Sequence, residues 1–128
     1  MKHRAALFFI LLSAAGPAWA GGGRATVESI EIEIAESFPV QVFAILCGHL
    51  GDGCTEITGI ASRGPLDNRF DIKITTQRPP PDAICTQALV PFEHNVPIHA
   101  YGLPAGDYEG VAGDARASFT LRQDNKPQ

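Results

Sequence analysis

The sequence holds no G-x-S-x-G elbow, no H-E-x-x-H and no phosphate-binding glycine loop. Those arrangements present a serine nucleophile, a zinc ion or a nucleotide phosphate, so the corresponding enzyme classes have no foothold here. No stretch beyond the first twenty residues shows a helical hydrophobic period. No apolar run approaches the roughly 20 residues that cross a bilayer as a helix. Lysine and arginine are nowhere clustered, which argues against nucleic acid and anionic membrane surfaces as partners. There is no long internal repeat, and low complexity is confined to Gly21 to Gly23.

What is present begins with MKHRAALFFILLSAAGPAWA. Lys2 and Arg4 precede an apolar run from Ala5 to Leu12, and the segment closes on Ala18, Trp19 and Ala20. Basic flank, short apolar run and A-x-A exit are the parts of a secretory signal peptide, so export and cleavage after Ala20 are expected. No cysteine follows the exit, which leaves no site for the lipid-anchored form of bacterial signals. No stable membrane insertion is expected after cleavage. Loss of Lys2 and Arg4 leaves eight basic residues against fourteen acidic ones, a formal charge of −6. That balance keeps a small domain soluble. The remaining 108 residues suffice for one domain with a modest core. We expect a periplasmic or extracellular protein with a flexible lead-in at 21–26, a folded domain at 27–123 and a polar, fraying tail at 124–128.

Three cysteines remain to be placed. Cys54 and Cys85 each stand where a turn-like stretch meets a strand-like one. In an exported chain thiols are oxidised and disulfides persist. Neither has the paired spacing of a zinc site, and a catalytic thiolate would want a basic neighbour. A bridge between them is therefore expected. Cys47 lies two residues before His49, so on a strand both point the same way. With His99 or His94 as a third ligand they would begin a copper or zinc site. The plainer reading of Cys47 is a packed free thiol or a point of intermolecular pairing, and no cofactor is expected.

Strand periodicity runs through the rest of the chain. Ile30, Ile32 and Ile34 alternate with Glu31 and Glu33, giving a strand with one wet acidic face. Val40, Val42, Ala44 and Leu46 share one face of the next run, and Phe43 with Ile45 make its other face apolar, which suggests cover on both sides. LGDGC is a turn whose glycines supply positive φ, and Gly59 marks a bulge in TEITGIASR. RGPLDNR turns the chain back into a strand with Phe70, Ile72 and Ile74 inward. After RPPPD, the segments AICTQALVPFE and NVPIHAY each carry a proline that implies an edge or a break, Pro91 and Pro97. The last hairpin turns at Gly113 and Asp114, with Ala115, Ala117, Phe119 and Leu121 on one face. Phe119 and Tyr108 are expected to pack onto the interior that holds Phe70. About seven short strands punctuated by Gly and Pro imply an all-β, immunoglobulin-like antiparallel sandwich, with a small barrel as the alternative. The only tryptophan, Trp19, leaves with the leader, so the buried tryptophan of antibody domains is missing.

DGCT, ITTQRPPPDAICTQALVPFE and GLPAGDYEGVAGDARASFTL resemble a family of small exported bacterial domains held to be immunoglobulin-like sandwiches. The likeness runs from about Glu36 to Asn125, with CTQALVPFE and GLPAG-x-Y its more specific parts. It implies that Cys54 and Cys85 are that family's paired cysteines, and it implies no activity. Gly51 replaces an expected proline, and Cys47 and His99 are additions.

No catalytic constellation assembles from the sequence. Glu93 and His94 are neighbours on a strand and point to opposite faces, while Asp107 and Glu109 suit a solvated hairpin edge. A non-enzymatic binding or interaction domain of the cell envelope is the leading expectation. A periplasmic metal-binding protein and a secreted hydrolase inhibitor presenting QRPPPDA are the alternatives.

Overall fold

The computed structural model of the chain describes residues 24–77 and 80–127. The expected leader, residues 1–20, and residues 78–79 of the proline-rich turn lie outside the described residues. Seven strands follow in order: β1 (Ala25–Ile34), β2 (Val42–Leu50), β3 (Glu56–Leu66), β4 (Arg69–Gln77), β5 (Val90–Ile98), β6 (Gly106–Ala112) and β7 (Ala115–Leu121). They form two separate sheets, β1-β2-β5 and β3-β4-β6-β7, so the molecule is a sandwich and not the alternative barrel. The antiparallel expectation fails at one junction, where Arg69, Phe70 and Asp71 of β4 run parallel to Glu109, Gly110 and Val111 of β6. β5 carries the chain back along the opposite sheet between them, so β4 and β6 point the same way.

The period-2 pattern sets what faces inward. Val42, Ala44, Leu46, Val96 and Ile98 meet Phe70, Ile72, Tyr108, Phe119 and Leu121 across the sandwich. Three rings sit at its centre. Phe70 lies 6.1 Å from Phe119 and 6.2 Å from Tyr108, and Tyr108 stacks on Phe119 at 5.6 Å. The Tyr108 hydroxyl donates to Pro104 O at 2.7 Å, four residues upstream. A tyrosine at the start of this strand bonding back to the preceding corner is the tyrosine corner of immunoglobulin-like sandwiches.

β5 runs unbroken through both of its prolines, where the sequence suggested two segments. Its position explains this. Pro91 and Pro97 lie an even number of residues apart on an edge strand, so both missing donors fall on the side away from β2. Gly59 coincides with a register irregularity between Ile57 and Gly59, the expected bulge. β3 continues to Leu66, further than expected, and the reversal is the two-residue turn Asp67-Asn68, with φ of 51° and 60°. Asp and Asn tolerate the left-handed conformation that a tight hairpin of this hand requires.

Two boundaries need correction. β1 begins at Ala25, within the expected lead-in, because Ala25 and Thr26 pair with Leu50 and His49. The tail expected to fray from residue 124 is instead pinned by Asn125, which is 1% exposed. Its side chain accepts from Val40 N at 2.7 Å and donates to Val40 O and Ala100 O at 3.0 and 2.9 Å. Its backbone N–H donates to Leu103 O, and its carbonyl accepts from Gly102 N. One amide thus closes two loops that belong to no strand ladder, and a polar residue is buried because every polar atom is matched. Replacing Asn125 with alanine leaves those loop groups unpaired. It is expected to lower the unfolding free energy by about 2–3 kcal/mol in urea denaturation. A loss under about 0.5 kcal/mol, the size of a surface change, would show that the clasp contributes nothing.

Candidate binding surface

The outward face of the β1-β2-β5 sheet is the most distinctive surface. β2 lies at its centre, with Phe43, Ile45, Cys47 and His49 pointing out and all half-buried. Both sheets' core side chains lie on the other side, so the two-sided cover expected for β2 is not found. Its outward side chains are shielded laterally by neighbouring strands instead. Register places Glu33 and Pro97 beside Phe43, Glu31 and Asn95 beside Ile45, and Ser29 and Glu93 beside Cys47. Glu28 sits at an irregularity in β1 and reaches His49, with Nδ1 to Oε1 at 2.6 Å. The result is a short apolar stripe between exposed glutamates.

Of Cys47, His49, His94 and His99, only Cys47 and His49 share this face. His94 pairs in register with Leu46, which points into the core, and its ring lies 5.9 Å from Phe92 on that inner side. His99 follows the far end of β5, six residues beyond Glu93, the register partner of Cys47. At about 3.3 Å per residue that is on the order of 20 Å along the strand. Neither imidazole can join Cys47 and His49 on an ion with bonds near 2 Å. Cys47 is a free, half-buried thiol. Glu93 and His94 point to opposite faces, as the strand period requires.

At the upper end of this sheet, two clefts flank the β1–β2 loop. One of about 490 Å³ opens between Pro39, Phe43, Pro97, His99 and Tyr101, and continues the apolar stripe. The other, of about 480 Å³, lies between Ile34, Phe38, Val40 and Arg122. Phe38 is 50% and Tyr101 72% exposed, so two aromatic rings stand at the cleft mouths. The sequence offered a signal for both, each being an aromatic next to Gly or Pro in a loop, yet only their positions make them neighbours of the stripe.

The opposite end is held by Cys54 and Cys85, which are bonded with their Cα atoms 5.5 Å apart. The bridge ties the β2–β3 turn to the crossover between β4 and β5. Asp52 organises that turn, because one carboxylate oxygen accepts from Cys54 N, Thr55 N and the Thr55 hydroxyl at 2.8–2.9 Å. The glycines of this turn are not in the left-handed region. Gly53 instead lies in close approach to the crossover, where an added Cβ would displace the Thr86 hydroxyl. The Thr55 hydroxyl, with the backbone donors of Cys54 and Thr55 behind it, holds the Asp52 carboxyl below its ordinary value against the opposing effect of burial. A depressed carboxyl stabilises the fold above its unfolded-state pKa, and that contribution is lost as pH falls through the lower folded value. Asp52→Asn is therefore expected to be less stable than the parent at neutral pH, and the gap should close in acid. Urea midpoints compared across that range test this; a gap independent of pH would assign the turn's stability to something other than the charge.

The profile of the ORF11 beta-sandwich domain matches residues 44–121. An uncharacterized 10.2 kDa protein in the HgiCIIM 5′ region of Herpetosiphon aurantiacus is 35% identical over 95 residues, 74% of this chain and 98% of that protein. A second 10.2 kDa protein of the same organism, in the HgiBIM 5′ region, is 35% identical over 85 residues, 66% of this chain and all of the relative. No solved structure matches the chain. The matched span takes in β2 from Ala44 onward, the bridged turns, the tyrosine corner and the closing hairpin, and the chain belongs to the ORF11 beta-sandwich domain family.

Proposed function

We propose that this chain is an exported, non-enzymatic interaction domain of the cell envelope. It works by presenting the outward face of the β1-β2-β5 sheet and the adjoining clefts to a protein partner. The observation that carries this reading is the half-buried stripe of Phe43, Ile45 and Cys47, bordered by exposed glutamates and running into a cleft with Tyr101 at its mouth. An apolar centre inside a polar rim is the anatomy of a protein–protein interface. Aromatic side chains are the usual anchors in such surfaces. The disulfide is what an oxidising compartment allows and fits secretion by the leader. No group of three His, Cys, Asp or Glu capable of holding a metal forms among the described residues. The inhibitor reading rests on a loop that includes residues outside the described part, and nothing at Pro80 to Ala83 favours it.

Export has a direct readout. The intact mass of protein from the exported fraction is expected to match residues 21–128 less two hydrogens, with Cys47 as the one free thiol. A mass that retains Met1 to Ala20 would remove the envelope from the reading. Binding is tested by placing a photo-crosslinking residue in turn at Asn95, Tyr101 and Arg116 in cells that make the native level of the protein. Partner adducts are expected from the first two positions and not from Arg116, which lies on the other sheet. Absence of adducts at all three would overturn the interaction reading.

A further inference from the structure

Charge is distributed unequally between the two sheets. β1, β2 and β5 contain four glutamates, Glu28, Glu31, Glu33 and Glu93, and neither lysine nor arginine. The four strands of the other sheet balance Glu56, Asp71, Asp107 and Glu109 against Arg63, Arg69, Lys73 and Arg116. Chain-average acidity would have spread over both sheets, so the imbalance belongs to one face. Glu28 bonds His49. Among the described residues, Glu31, Glu33 and Glu93 form no ion pair. All three point to the side on which Phe43, Ile45 and Cys47 lie half-buried. Acidic residues alone mark only a wet strand face. Here they border apolar side chains on a surface that neither sheet covers, and the combination selects for what can satisfy both.

We infer that the β1-β2-β5 face docks a basic, apolar segment of another protein, one in which lysines or arginines flank aliphatic or aromatic side chains. This rests on the interaction reading above and names the chemistry of the partner. Charge complementarity decides the occupant. A second copy of this chain would set eight glutamates face to face around the stripe, and like charges across an interface oppose association. An anionic lipid surface is repelled for the same reason. A basic segment gains steering towards the face and then buries Phe43 and Ile45. The cleft holding Phe43, Pro97 and Tyr101 continues the stripe and accepts an apolar side chain at its end.

The test uses the mature, disulfide-bonded protein and a fluorescent peptide of alternating lysine and leucine, read by anisotropy. Two control peptides replace every lysine by glutamate, or every leucine by glycine. The triple change Glu31→Gln, Glu33→Gln and Glu93→Gln is compared with Glu56→Gln, Asp82→Asn and Asp114→Asn, which alters net charge equally elsewhere. The face variant is expected to weaken Lys-Leu binding by about tenfold or more, and the distant variant by less than about twofold, at an ionic strength near 0.1 M. Ile45→Ser should weaken Lys-Leu binding without altering the residual binding of Lys-Gly. Equal losses in the two triple variants would reduce the effect to net charge and overturn the inference. So would equal binding of the Glu-Leu peptide, or a dimer in sedimentation that Phe43→Arg dissociates. Crosslinked adducts at Asn95 whose contact segment is acidic or neutral would defeat the basic partner and leave the interaction domain standing. Absence of adducts at every position defeats both.

Discussion

Replacing Phe70 with alanine is expected to lower the unfolding free energy by about 3–5 kcal/mol, the range for truncating a buried aromatic. Phe70 is 1% exposed, and its ring lies between Tyr108 and Phe119, so the cavity left behind opens at the meeting point of three strands. Collapse around it is resisted from both sides. Tyr108 is tethered through its hydroxyl to Pro104, and the backbone of Phe70 stands beside Gly110 in the β4–β6 pair. A domain of this size is stable by only about 5–15 kcal/mol, so the variant should unfold at much lower urea or fail to accumulate. Conservative Phe70→Leu, which retains most of the volume, keeps the measurement possible if the alanine variant does not fold. Truncation of Thr75, on the outer part of the same strand, supplies the contrast, with an expected change within about 0.5 kcal/mol. Equal effects at Phe70 and Thr75 would contradict the assignment of inward and outward faces.

The paired change Cys54→Ser and Cys85→Ser is expected to cost about 3–4 kcal/mol. The two residues are 31 apart in sequence, and closing a loop of that length removes unfolded-state entropy of this size on the chain-entropy account. Beyond the bridge, few bonds hold the described residues of the crossover that leads into β5. Gly53 N donates to Thr86 O and Ala83 N to Pro80 O, while Ile84 is 100% and Leu89 60% exposed. Without the covalent tie, local opening should begin there. Equilibrium urea unfolding of the oxidised parent and the double variant gives the magnitude. Hydrogen exchange should show protection lost first around residues 83–89 and last in β2 and β4. A double variant within about 1 kcal/mol of the parent would place the stability elsewhere.

In β4 and β7 the residues that meet the core were legible in the sequence. The alternation of Phe70, Ile72 and Ile74 with Asp71, Lys73 and Thr75 is reproduced in their burial, as is the face of Ala115, Phe119 and Leu121. Period two is a local property, and a register slip would turn every apolar side chain to water. The bulge at Gly59, the edge position of β5 and the Cys54–Cys85 bridge were readable for similar reasons, from backbone chemistry or compartment. Asn125 was not, because its partners are backbone groups of Val40 and Ala100, 85 and 25 residues away. A polar residue near the end of a chain reads as solvated until those groups arrive around it.

The outward side of β2 shows the same division most clearly. The sequence by itself determined that Phe43 and Ile45 lie together on one face with Cys47 and His49, and that Glu31 and Glu33 share a face of β1. Neither fact says which strands adjoin. Only the tertiary structure set β1 and β5 on either side of β2, gathering all four glutamates into a sheet that has no arginine or lysine. It also left Phe43 and Ile45 shielded only by neighbouring strands where their composition had suggested a second covering layer, and moved His99 and His94 away from Cys47. Strand order and layer number depend on long-range pairing, which sums the preferences of the whole chain. Residue spacing within a strand reports only on its own two faces.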